Sequence, residues 1–399
     1  MGEHRLRDIE TIAGVARALA IPPALLNFPV FGATVSVTGL TGRKDVSWVD
    51  RRDFTQHIAG LVLGIAGAAG LDTGRLLALL PQAEPTGTRH IGEADVETIE
   101  QLTAAFVRQD YAHGSAPIRD AAVAQLGTVL PLLDAQVPAE LRPRLMVATG
   151  SLAVTAGWQS FDGLDHEAAR RLWMIGLDVA RAADHPLATD LTVFLLYAMA
   201  LQSVQLGRPE EARHLARIGH TATVGRYPVS ASTTCKLANV EALAHGALGD
   251  GTACDRALGQ ATERFTTTGP ATAPPWVACL DETWLALHSG DAHYALALTG
   301  RDRDAAARAV PLLRHAVDHF GPGYARLRAS SLTKLAGVHA LNGDDDTAVS
   351  VGHQAVDAVT AVSSPRAYDR LRTLHTVLKP LHTSPGVADL RDRLSTTAA

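Results

Sequence analysis

His315 and His319, in the stretch RHAVDHF, stand four residues apart, so a helix carries both imidazoles on one face. That is the spacing two protein ligands of a divalent metal need. No third ligand is marked, and Asp318 falls on another face, so the pair reads as a solvated or half-buried one. The chain has seventeen histidines, yet it contains no H-E-x-x-H, no G-x-S-x-G, no P-loop and no G-x-G-x-x-G ahead of a strand. GDDDTA, from Gly343, imitates the start of a calcium loop. It lacks the closing glutamate and reads instead as a turn with acidic residues at a helix start. Cys235, Cys254 and Cys279 form no Cys-x-x-Cys pair and no even framework, which makes them small core residues of a reducing compartment. No enzyme signature emerges, and no cofactor or metal is expected.

The elements that carry these residues are helices. Hydrophobic residues make up 47 % of the 399-residue chain and aromatics only 5 %, with alanine and leucine dominant. Helix packed on helix accounts for that composition better than a sheet does. Formal net charge is -5, so nucleic acid or an anionic membrane is not a partner of the chain as a whole. No secretory signal is visible. The apolar run Ile58–Leu71 is too short to span a bilayer, and Arg51-Arg52 lies too far in for an export signal. A cytoplasmic location without membrane contact follows as the expectation.

From about residue 89 amphipathic helices alternate with short turns to the end of the chain. YAMALQSVQLGRPEEARHLARIG, NVEALAHGALGDGTACDRALGQA, ETWLALHSGDAHYALAL and KLAGVHALNGDDDTAVSVGHQAV each read as helix, glycine turn, helix. The turn glycines Gly207, Gly249, Gly290 and Gly343 recur at roughly 40 to 50 residues, the period of a helical solenoid. Small residues keep fixed offsets from them: Ala200, Ala242, Thr283 and Ala336 before, then Ala212, Cys254 and Ala348 after. Helices cross closely only over small side chains. The spacing is that of tetratricopeptide repeats, with the third pair fitting worst. The predicted fold is all-α, a right-handed α-solenoid of tetratricopeptide-like pairs over 89–399. Residues 29–88 read as a linker with one small-residue helix, and 1–28 as a short helical segment ended by Pro22-Pro23.

A solenoid binds in the groove lined by the first helix of each pair. On the repeat register this face carries Phe194, Tyr197 and Leu201, then Lys236, Asn239 and Leu243. The later repeats give it Val277, Leu280 and Trp284, and finally Ser330, Thr333 and Gly337. The mixture of aromatic, apolar and polar groups suits an extended peptide, a small-molecule signal or a protein partner. Lys236 and Asn239, one turn apart, match a carboxylate and a peptide backbone. Tyr197 and Trp284 read equally well as core aromatics.

The sequence resembles the actinobacterial regulators that join an N-terminal Xre-type helix-turn-helix to a tetratricopeptide-like region. RLRDIETIAGVARALAIPPALL, DRRDFTQHIAGLVLGIAGAAGLD, LAVTAGWQSFDG, ALQSVQLGRPEEA, APPWVACLDETWLALHSGD and SSPRAYDRLRTL carry the resemblance. It implies that 1–28 is the last helix of the helix-turn-helix domain, with the recognition helix expected ahead of Glu3 and absent. Arg5, Arg7 and Arg17 then touch DNA phosphates at most, and such contacts carry no sequence information. The function implied is a ligand- or peptide-responsive transcriptional regulator, a homodimer in one form, that binds DNA through helices outside this sequence. The alternative is an interaction scaffold that does not bind DNA.

Overall fold

The computed structural model describes residues 90–224, 227–268, 273–300, 302–379 and 385–397. The expected segments 1–28 and 29–88, with Arg5, Arg7, Arg17, Arg51-Arg52 and the run Ile58–Leu71, lie outside the described residues. Of the described residues 82 % are helical and none forms a strand, so the all-α expectation holds. No described helix is long and apolar enough to cross a membrane. The chain divides into two compact units.

The first unit comprises, among the described residues, 90–107, 118–160 and 165–185. It draws on α1 (Glu93–His113), α2 (Arg119–Val129), α3 (Arg142–Asp162) and α4 (His166–Ala182). Ile99, Leu102 and Phe106 fall on one stripe of α1 and pack with Leu126 and Val129 of α2, Leu145 and Leu152 of α3, and Leu172 of α4. Gly157 makes room for Trp173. A Cβ at Gly157 would lie 2.3 Å from the indole nitrogen, which donates to the Val154 carbonyl at 3.2 Å. Asp165 caps α4 by accepting from the Ala168 amide at 3.1 Å.

The second unit comprises 108–117, 161–164 and the described residues from 186 onward. Five helical pairs follow in order: α5 (Ala188–Gln205) with α6 (Pro209–Ala222), α7 (Ala231–Leu248) with α8 (Gly251–Thr266), α9 (Glu282–Gly300) with α10 (Arg303–His319), α11 (Ala325–Asn342) with α12 (Asp345–Thr360), and α13 (Pro365–Leu378) with α14 (Pro385–Thr397). The first helices pack on one another in succession, α5 on α7, α7 on α9, α9 on α11 and α11 on α13. Of these, α5, α7, α9 and α11 are buried on most of their circumference, and α13 on one stripe. The second helices are amphipathic and bury a stripe of small residues, for example Ala212, Ala216 and Gly219 on α6.

The turns obey one local rule. Gly207, Gly249 and Gly343 adopt left-handed φ of 69°, 77° and 80°. Each lets the next residue's amide reach back five residues, as Asp250 to the His245 carbonyl at 3.0 Å and Asp344 to His339 at 3.0 Å. Asp250 and Asp344 then cap the following helix through the amides of Ala253 (3.0 Å) and Thr347 (3.3 Å). GDDDTA is therefore a turn and cap, as expected.

The third turn is not where the spacing puts it. Gly290 lies in the middle of α9, which runs unbroken to Gly300, and α10 begins at Arg303 behind the cap Asp302. Gly290 admits Leu313 instead, since a Cβ there would stand 2.8 Å from Leu313 Cγ. The Gly-Asp dipeptide imitates the other two turns, but Asp291 is buried and paired with Lys334 rather than capping a helix. Counted from Gly300, the small-residue offsets are Ala200, Ala242, His293 and Ala336 before the turn, and Ala212, Cys254, Ala305 and Ala348 after it. All but His293 are completely buried. Val277 and Leu280 precede α9, Val277 in a short 3-10 turn (Pro275–Val277), so they do not occupy the first-helix face.

Candidate functional site

The row of first helices in the second unit brings most of the expected groove residues together, in a largely buried interior. Phe194 and Tyr197 on α5 lie with ring centres 5.3 Å apart. Lys236 on α7 holds its ammonium 3.6 Å from the centre of the Trp284 ring on α9 and 5.8 Å from that of Tyr197. Its one hydrogen-bond partner among the described residues is the Cys279 sulfur, at 3.4 Å. Burial lowers the Lys236 pKa, with Cys279 opposing the shift. Burial pushes the Tyr197 phenol far above its ordinary range.

Asn239, one turn along α7, is also buried and donates to Ser289 Oγ at a long 3.4 Å. Thr333 on α11 turns its hydroxyl back onto the Ala329 carbonyl at 2.9 Å. Gly337 lies under the Tyr294 ring, and a Cβ there would stand 2.6 Å from the phenol oxygen. His288 stacks on Trp284 with centres 3.8 Å apart. Burial drives its pKa down to about 3, and Lys236 and Lys334 add to the effect.

Sequence reasoning missed the charged part of this interior. Arg326 on α11 donates to Asp110, at the end of α1, at 2.6 Å, and its guanidinium lies 3.5 Å from Asp162, at the end of α3. Arg366 on α13 donates to Asp162 at 3.3 Å, and Ser115 and Ser364 donate to it at 2.9 and 2.8 Å. This set is buried throughout. Burial raises Asp110, while the two guanidiniums and the serine hydroxyls outweigh burial at Asp162 and hold it low. Two turns further along α11, Lys334 pairs with Asp291 of α9, and Arg370, one turn beyond Arg366 on α13, is partly buried. Burial lowers Lys334 to about 8 against the pull of Asp291. The signal was present in the sequence as Arg326, Ser330 and Lys334, and Arg366 and Arg370, at four-residue spacing.

The histidine pair does not gather ligands. His319 Nδ1 bonds the His315 carbonyl at 2.8 Å and the rings stack at 4.0 Å. Among the described residues, Cys254, Asp255 and His293 do bring ligand atoms within 4.8 Å of one another. Arg308 already holds both Asp255 oxygens, at 2.8 and 3.0 Å, and burial pushes the Cys254 thiol up to about 12. All three cysteines are free and buried.

No protein-family model matches the chain, and no curated protein is similar to it.

Proposed function

We propose that the helical-pair region is the sensing part of a ligand- or peptide-responsive transcriptional regulator of the Xre type. In this reading the pairs form a right-handed, tetratricopeptide-like solenoid. The ligand meets the face of α5, α7, α9 and α11 that carries Phe194, Tyr197, Lys236, Asn239, Trp284 and Thr333. Arg5, Arg7 and Arg17 contribute phosphate contacts only. The observation that supports the reading is Lys236: an ammonium buried between aromatic rings with only a sulfur to receive its hydrogen bond. A buried cation without an oxygen partner is costly for a merely structural element. Binding sites carry such costs routinely.

The test is thermal stabilisation of the full chain by a panel of short peptides and small metabolites, repeated with Asn239→Ala. A ligand that raises the Tm of the wild type and weakens by about ten-fold in the variant is the expected result, the loss of one hydrogen bond in a desolvated site. Retention of DNA from upstream of the coding sequence, with and without that ligand, then asks whether binding is coupled to regulation. If no member of the panel binds while a protein partner does, the interaction scaffold takes its place.

A further inference from the structure

The second unit repeats one packing rule over four turns and breaks it twice. Seven residues before the turn glycine stand Ala200, Ala242, His293 and Ala336, and five after it stand Ala212, Cys254, Ala305 and Ala348, with the third turn counted from Gly300. Alanine suits these positions because helices cross closely there. Histidine and cysteine are the two departures, one from each set. They belong to different pairs, Cys254 to α8 and His293 to α9. Yet they meet. The Cys254 sulfur, a His293 ring nitrogen and an Asp255 carboxylate oxygen all lie within 4.8 Å of one another.

Packing alone does not account for the meeting. Cys254 is fully buried among Ala242, Ala257, Leu258 and Ala292, a setting that alanine would also fill. His293 is 7 % exposed, and its Nδ1 is buried without a hydrogen-bond partner among the described residues. An imidazole costs more there than a methyl group would, in volume and in an unmet polar atom. Sulfur, imidazole nitrogen and carboxylate oxygen together form the donor set of a borderline-soft divalent metal, zinc above all. Ligand atoms around a tetrahedral zinc stand about 3–4 Å apart, given bonds of about 2.0–2.3 Å, so the three need close by only about 1 Å.

Asp255 is exposed, and Arg308 of α10 holds its two oxygens at 2.8 and 3.0 Å. Arg308 is itself 43 % exposed, and an ion pair open to solvent on both sides is weak. Asp255 thus offers a metal an accessible first ligand beside the two buried ones.

We propose that Cys254, Asp255 and His293 form a zinc site of three protein ligands, with the fourth position left to water. On binding, the Cys254 thiol loses its proton to solvent and its sulfur takes the metal, while Asp255 exchanges Arg308 for it. The metal joins α8 to α9 and so ties the second helical pair to the third. The proposal does not rest on the sensor reading.

The full chain, reduced and stripped by a chelator, is titrated with Co2+ or Zn2+ alone, with Mg2+ as the control. Expected is one Co2+ per chain, with visible bands of tetrahedral intensity and a sulfur-to-cobalt charge-transfer band in the near ultraviolet. Zn2+ should displace it and Mg2+ should not. Cys254→Ala and His293→Ala install the alanine of the other pairs, so both should fold, which circular dichroism checks. Cys254→Ala should abolish the charge-transfer band, and His293→Ala should weaken Co2+ by at least about ten-fold. Cys235→Ala and Cys279→Ala should keep the band. Arg308→Gln frees Asp255 and should tighten Co2+ by about two- to five-fold. A wild type without the sulfur band overturns the site, as does a band that survives Cys254→Ala. Affinity unchanged in His293→Ala or in Arg308→Gln overturns it as well. Visible cobalt bands without the sulfur transition assign adventitious binding to other histidines, which also overturns it. None of these outcomes decides the peptide and metabolite panel, so the sensor reading is tested separately.

Discussion

The Lys236 ammonium sits 3.6 Å from the centre of the Trp284 ring, one helix of the inner row over from it, and among the described residues it donates only to the Cys279 sulfur, at 3.4 Å. The cation–π contact offsets part of the desolvation of the charge but supplies no hydrogen-bond acceptor. Lys236→Met keeps the length and apolar stem of the side chain while removing the charge. The variant should be as stable as the wild type or more so, by up to about 1–2 kcal/mol. Urea unfolding followed by circular dichroism checks it. A loss of about 2 kcal/mol or more would mean that the ammonium supports the fold.

A close approach of neighbouring inner helices, α7 and α9, passes through Gly246. A Cβ there would lie 2.4 Å from the Ala292 carbonyl oxygen, a backbone atom that cannot swing aside. Gly246→Ala should cost about 1–3 kcal/mol by overpacking. Gly259, inside α8 with nothing within 4 Å, gives the opposite sign. Gly259→Ala should stabilise by about 0.5–1 kcal/mol through helix propensity. The same assay compares both, and equal midpoints would contradict the crossing.

Asp162 is the shared acceptor of Arg366, Ser115 and Ser364 and lies beside Arg326. Asp162→Ala leaves two buried guanidiniums short of charge and should destabilise by about 3–5 kcal/mol. Arg372→Ala, on the exposed side of α13, should change stability by less than about 0.5 kcal/mol. Differential scanning calorimetry distinguishes the two outcomes directly.

His288 gives the acid limb of stability a particular sign. Its folded pKa is lowered from 6.5 to about 3. Between those values the unfolded chain binds a proton that the folded chain refuses. Stability therefore falls as pH drops through 6.5 towards 3, with a limiting slope of roughly 1.4 kcal/mol per pH unit from this group. His288→Asn should flatten the urea-midpoint profile between pH 6.5 and 4.5. An unchanged slope would place the titration elsewhere.

Helix content, the pairing and most turn positions were legible in the sequence, because each rests on a local signal: a periodic apolar face, a glycine that alone tolerates left-handed φ, an aspartate cap. Gly290 shows how far such signals reach. Gly-Asp reads the same in a turn and in a helix, and what decides is Lys334, 43 residues away, which engages Asp291. Register alone placed Phe194, Tyr197, Lys236 and Asn239 on the inner helices, whereas Trp284, counted from Gly290, lies on α9 off the register set by the turn at Gly300. The acids Asp110 and Asp162 were not found that way. They come from helices of another part of the chain, and no periodicity links them to Arg326 and Arg366.

That last arrangement bears on how the protein is made. Asp162 is bonded by residues 202 and 204 positions later, and Asp110 by one 216 positions later. Stacked helical pairs ordinarily need only their neighbours, so a nascent chain can lay them down one after another. Here a carboxylate leaves the ribosome and waits for some 200 residues of synthesis, about 10–40 s, before its partners exist. The second unit consequently closes as one late event with a long loop to bring together, instead of growing pair by pair. Ribosome-bound chains arrested before Ser364 should stay open to protease along their whole second unit, and release past Arg366 should protect it at once.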